Sequence, residues 1–114
     1  MGLSELFSRQ EVVRFISDVD GSAVLHGFAG YFNCVLYKDI VLSTEPSTHS
    51  PGMFSWFPMF IPLVTPLIVK QSEEIALCVW RVVRDDRMWY EWCLTHPTTT
   101  AIQNSNGTSF NVRL

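Results

Sequence analysis

The stretch PGMFSWFP, residues 51–58, sets three aromatic side chains, Phe54, Trp56 and Phe57, between two prolines. Proline fixes φ, so Pro51 and Pro58 restrict the backbone and reduce the entropy lost when the segment is held against a ligand. A flat indole such as Trp56 offers a face on which a planar guanidinium can stack, worth about 0.5–2 kcal/mol according to how far the pair is desolvated. The same rings also suit a plain core-filling role, because aromatic side chains bury large apolar areas. Pattern alone leaves both readings open.

Other chemistries find less support. A hydrolase would need Ser50 or Ser55 beside a histidine held by a carboxylate, and His49 is close in sequence, yet THSPG reads as a proline–glycine turn. His26, His49 and His96 are widely spaced, with no H-x-H or H-E-x-x-H, so no metal site and no metal-binding cupin-like barrel is expected. Glu73 and Glu74 sit side by side in a turn, the usual place for a solvated charge pair. There is no glycine-rich strand-to-helix turn for a nucleotide cofactor. Cys34, Cys78 and Cys93 are odd in number and lack C-x-x-C spacing, which fits reduced thiols in a cytoplasmic or nuclear protein. Asn106-Gly107-Thr108 matches a glycosylation sequon, but Asn-Gly among polar residues is first of all a turn signal.

The elements that must position these residues fit in one domain, since the chain has 114 residues. Hydrophobic residues make up 47% and charged residues 17%, so part of the apolar surface is expected to face a partner. A formal charge of −3 gives no electrostatic footprint for nucleic acid. The longest apolar run, residues 57–69, is shorter than the roughly 20 residues a bilayer demands and is cut by Pro58, Pro62 and Pro66. No membrane association is expected, and the opening MGLSEL carries no signal for export or myristoylation.

Leu3, Leu6, Phe7 and Gln10 fall at helical steps, which predicts a short N-terminal helix. From there the chain reads as short β-runs: 11–19, 23–37, 39–44, 53–61, 66–70, 75–83, 88–95, 98–103 and 108–113. Turn-forming residues punctuate them, so the expected fold is all-β, an antiparallel barrel or sandwich. The clearest hairpin joins 75–83 to 88–95 across Arg84–Arg87; a symmetric turn sets Trp80 against Glu91, Arg81 against Tyr90, Val82 against Trp89 and Cys78 against Cys93. Opposed cysteines invite a disulfide, but packed thiols suit the expected compartment better. Gly27 and Gly30 interrupt the long run 23–37, as at a barrel corner where one run serves two sheets.

VLHGFAGYF (24–32), THSPGMFSWFP (48–58), MWYEW (88–92) and the closing AIQNSNGTSFNVRL together resemble the C-terminal β-barrel of the protein arginine methyltransferases that make symmetric dimethylarginine, the type II enzymes. The match runs in order from about Phe15 to Leu114, leaving residues 1–14 unassigned. The resemblance implies an S-adenosylmethionine-dependent transferase acting on arginines of histone tails and of glycine- and arginine-rich RNA-associated proteins, in cytoplasm and nucleus. By the same resemblance the aromatic loop walls the arginine pocket: Trp56 stacks on the guanidinium, the Phe57 main chain hydrogen-bonds it, and Ser55 contacts the substrate backbone. Phe54-Ser55-Trp56 is similar to the symmetric type, whereas asymmetric-dimethylating relatives carry Thr-His-Trp.

The family's cofactor-binding glycine motif, its two catalytic glutamates and its N-terminal barrel, which recruits a WD-repeat partner, have no counterpart in these residues. The barrel is therefore expected to be incomplete, part of a longer enzyme whose Rossmann domain holds S-adenosylmethionine outside this chain, with no catalytic residue of its own. Two alternatives are a stand-alone β-sandwich module that binds arginine- or proline-containing peptides, and a purely structural domain covering a partner's sheet.

Overall fold

The computed structural model describes residues 9–53, 56 and 58–114. They form eight strands: β1 Arg9–Ile16, β2 Ser22–Gly30, β3 Asn33–Tyr37, β4 Ile40–Ser43, β5 Met59–Lys70, β6 Glu74–Arg84, β7 Arg87–His96 and β8 Val112–Arg113. The strands make one four-stranded sheet, β1-β6-β7-β8, and two ribbons, β2-β5 and β3-β4, none of which closes on itself. The architecture is all-β and antiparallel, as expected of an incomplete barrel or sandwich. Most of the segment predicted to be helical, residues 1–8, lies outside the described residues; Gln10 belongs to β1, opposite Trp80, and not to a helix. The chain divides into two compact units, residues 25–66 and the remainder.

In the larger unit the β6–β7 hairpin has the expected register, with Trp80 opposite Glu91, Val82 opposite Trp89 and Cys78 opposite Cys93. The two-residue turn has no glycine. Asp85 takes φ 56° instead, and a short polar side chain tolerates this left-handed conformation better than most. Ile75, Ala76, Leu77 and Cys78 are consecutive and all buried, so β6 is covered on both faces. With Val69, Trp89, Cys93 and Leu94 they form the core. Cys78 and Cys93 are free thiols. Burial, and then the neighbouring Cys78, push the Cys93 thiol pKa up.

The run 98–103 is not a strand: only Gln103 bridges to Trp92. Just beyond it, side-chain hydrogen bonds hold the chain. Asn104, at φ 56°, donates from Nδ2 to the carbonyls of Tyr90 (2.9 Å) and Phe110 (2.7 Å), and its Oδ1 accepts the N–H groups of Ser109 and Phe110, both at 2.9 Å. The Asn-Gly pair lies in a single 3₁₀ turn, Ser105–Gly107, rather than in a hairpin loop. Gly107, at φ 65°, leaves no room for a Cβ, which would fall 2.7 Å from Cδ2 of Trp89. The Trp89 indole N–H donates to Glu91 Oε2 at 2.7 Å, and the same oxygen accepts the Asn106 N–H.

In the smaller unit the run 23–37 splits after Gly30 into β2, paired with β5, and β3, paired with β4, so one run does feed two sheets. A Cβ on Gly27 would collide with the Ile61 carbonyl and meet the Phe60 ring at 2.9 Å, which fixes how closely β2 and β5 approach. Pro62 and Pro66 do not end β5, which runs unbroken to Lys70. They are four residues apart on a strand that, among the described residues, pairs with β2, where a missing N–H can face away from the ladder. All of β3 is exposed, and its tight turn to β4 is made by Lys38 at φ 51°.

Candidate functional site

The aromatic loop leaves β4 at Ser43 and returns at Met59. Its root is a cluster of hydroxyl groups. Ser43 and Thr44 are almost fully buried, 3% and 1% exposed, although both are polar; each is occupied by hydrogen bonds. The Ser43 N–H donates to Ser50 Oγ (2.9 Å), and the Ser50 N–H donates back to the Ser43 carbonyl (2.9 Å). Ser43 Oγ shares a hydrogen bond with Thr48 Oγ1 (2.9 Å) and accepts the Glu45 N–H (3.1 Å). Short hydroxyl side chains can satisfy backbone groups where no sheet continues, which lets a tight loop start inside the fold.

Thr44 makes the second tie. Its N–H donates to the Phe32 carbonyl (2.9 Å), and its Oγ1 accepts the Phe32 N–H (3.0 Å). Phe32 is thereby fixed between β3 and the loop, and its ring meets Trp56 edge-on, with centroids 5.7 Å apart and planes at 65°. T-shaped pairs of this kind contribute about 0.5–1.5 kcal/mol beyond buried area. Trp56 itself is 52% exposed. It does not fill a core: one part of the indole leans on Phe32 and much of the remainder faces solvent. Its main chain is held at both ends, by a bond from its N–H to the Met53 carbonyl (3.3 Å) and by His49 Nε2 at its carbonyl (3.0 Å).

The arrangement offers a positioned aromatic surface and little acid–base chemistry. Ser50 is no hydrolase nucleophile, because Oγ takes the Ser43 N–H and both His49 nitrogens face main-chain carbonyls. Among the described residues no group of three or more His, Cys, Asp or Glu converges to hold a metal. Glu73 and Glu74 are engaged separately, the first by the Lys70 N–H and the second in an exposed ion pair with Arg14. Of the four predicted site residues only Trp56 can be placed; Phe54, Ser55 and Phe57 lie outside the described residues. Sequence reasoning missed Phe32, Ser43 and Thr44, whose roles depend on contacts with no periodic signature.

Residues 4–112 match the family described as the PRMT5 oligomerisation domain. The chain belongs to this family. Among its relatives, protein arginine N-methyltransferase 5 of Xenopus laevis is 48% identical over 96 residues, which cover 84% of this chain and 15% of the relative. The protein of the same name from Caenorhabditis elegans is 45% identical over 112 residues, 93% of this chain and 15% of the relative. Protein arginine N-methyltransferase skb1 of Schizosaccharomyces pombe is 46% identical over 84 residues, 71% of this chain and 13% of the relative. The chain thus spans about 15% of the length of the methyltransferases it matches. What the family's description names is oligomerisation.

Proposed function

We propose that this chain is the substrate-facing barrel portion of an S-adenosylmethionine-dependent protein arginine methyltransferase, and that Trp56 supplies the aromatic wall of the arginine pocket. The observation that carries the reading is a half-exposed indole braced against Phe32 and tied at both its N–H and its carbonyl. A planar cation stacked on such a ring is oriented, and orientation is the larger part of what methyl transfer to a guanidinium nitrogen asks of a binding wall. By resemblance to the family, Phe57 hydrogen-bonds the guanidinium through its main chain, Ser55 contacts the substrate backbone and Phe54 marks the symmetric-dimethylating type. Histone tails and glycine- and arginine-rich proteins are the proposed substrates.

The described residues lack the glycine-rich strand-to-helix turn that cradles a nucleotide-like cofactor, so S-adenosylmethionine would be held by another part of the enzyme. The chain's own contribution is to bind and orient. Stacking worth about 0.5–2 kcal/mol is too weak to select a peptide alone, hence the second half of the pocket is supplied by the catalytic domain.

Titration of the 114-residue chain with an arginine–glycine-rich peptide, with and without the catalytic domain of a relative, tests this. Calorimetry of the chain alone is expected to show no micromolar binding, and the mixture is expected to methylate the peptide, with activity lost in Trp56→Ala. Micromolar binding by the chain alone that Trp56→Ala abolishes would instead identify a free-standing peptide module. Unchanged activity of Trp56→Ala in the mixture refutes the aromatic-wall role.

A further inference from the structure

The His49 side chain spans the loop. Its Nδ1 lies 2.9 Å from the Ser50 carbonyl oxygen and its Nε2 lies 3.0 Å from that of Trp56. Carbonyl oxygens only accept hydrogen bonds, and a neutral imidazole carries a single N–H. In the neutral form one of the two contacts therefore sets a nitrogen lone pair against an oxygen lone pair. Both are hydrogen bonds only when both nitrogens carry hydrogen, and bonds from a charged donor are the stronger kind.

We infer that His49 is the positioning residue for Trp56, and that it acts in its doubly protonated form as a strut between the loop root and the indole's main chain. The strut has a firm base. Ser50, at one end, is locked in both directions to Ser43, which is buried at the end of β4. At the other end, the ties of Trp56 among the described residues are the 3.3 Å bond from its N–H to Met53, the His49 contact and the ring contact with Phe32. Removing one N–H from His49 releases one end and lets the indole leave the orientation that Phe32 braces.

Among the described residues no carboxylate forms an ion pair with His49. Glu45, the acidic group in the same loop, is taken by Asn33 Nδ2 (3.0 Å) and Ser47 Oγ (3.3 Å). The other titratable groups of this unit are His26, Tyr31, Cys34, Tyr37, Lys38 and Asp39. His26 shares the imidazole chemistry and serves as the control. The strut stands on its own geometry, whereas its purpose rests on the aromatic-wall reading, so the test uses no arginine ligand.

The 114-residue chain is labelled with 5-fluorotryptophan and followed by fluorine NMR, the Trp56 resonance being assigned by its loss in Trp56→Phe. In the unmodified chain that resonance is expected to shift in one transition as pH is raised, when the imidazole gives up its second N–H. The strut is complete on the acid side and broken on the basic side. His49→Leu and His49→Gln are expected to lose the transition, and His26→Gln to keep it. Trp80, Trp89 and Trp92 on β6 and β7 report whether each variant is folded; if His49→Leu disturbs them, His49→Gln decides. A transition that survives in His49→Gln, or a Trp56 resonance that does not respond to pH in the unmodified chain, overturns the inference. Unchanged methylation by Trp56→Ala in the mixture, with the transition intact, would instead count against the arginine reading alone.

Discussion

Thr44→Val separates a hydrogen bond from the shape of the residue that makes it. The hydroxyl is replaced by a methyl of similar size at a position 1% exposed, so packing is nearly conserved. What is lost is the acceptor for the Phe32 N–H at 3.0 Å, and a weaker contact from Oγ1 to the Phe32 carbonyl at 3.4 Å that is too long to add much. A part-buried N–H left without a partner costs about 1–3 kcal/mol, and partial solvent access at this site favours the lower half, about 1–2 kcal/mol. Urea unfolding should then show its midpoint lowered by roughly 0.5–1.5 M. Thr44→Ser keeps the hydroxyl and loses one methyl, which also costs about 1 kcal/mol, so global stability alone does not distinguish the two. Amide hydrogen exchange at Phe32 does. The valine variant should exchange about 5- to 30-fold faster there, while the serine variant should stay protected. Equal exchange in Thr44→Val and the unmodified chain would refute the assignment of Thr44 as the anchor of the Trp56 brace.

Three further outcomes follow from local geometry. Asn104→Ala removes four hydrogen bonds and leaves a Cβ-bearing apolar residue at φ 56°, so thermal unfolding should register a loss of about 2–4 kcal/mol. Asn104→Gly should recover about 1 kcal/mol of it, because only the backbone strain is relieved. Gly107→Ala should destabilise by a similar 2–4 kcal/mol and alter the near-ultraviolet circular dichroism of Trp89, since the new methyl meets the indole at 2.7 Å; a silent substitution would contradict the packing described. Iodoacetamide followed by mass spectrometry should modify exposed Cys34 first, with Cys78 and Cys93 reacting only in denaturant. A raised thiol pKa means less thiolate at neutral pH and slower attack, so equal rates at Cys34 and Cys93 would count against the burial of that pair.

Much of the fold could be read from residue order. The β6–β7 register followed from a symmetric turn and two runs of similar length. Where reading and structure part, local rules met a neighbour they did not know. Pro62 and Pro66 argued for a break, yet among the described residues β5 pairs along one edge, with β2, so proline is tolerated there. The runs 98–103 and 108–113 look β-prone, but the first meets β7 as a bridge only at Gln103, and in the second the Asn104 side chain takes the main chain of Ser109 and Phe110 and leaves the two-residue β8. In the loop, Trp56 announced itself by type and by its flanking prolines. The hydroxyls of Ser43, Thr44 and Ser50 did not, because a residue that caps a strand end looks in sequence like any other loop serine or threonine.

The Asn104 amide has a chemical consequence of its own. It uses both halves of one planar group, the nitrogen toward two oxygens and the oxygen toward two nitrogens. Hydrolysis of that amide to a carboxylate, a change of one atom with no change in size, keeps the pair of accepted bonds and turns the other pair into oxygen facing oxygen. Slow chemical ageing at a single position would thus loosen the hold of Ser109 and Phe110 on the edge of β7, leaving the Asn106–Glu91 bond and the Gly107–Trp89 contact to carry the segment.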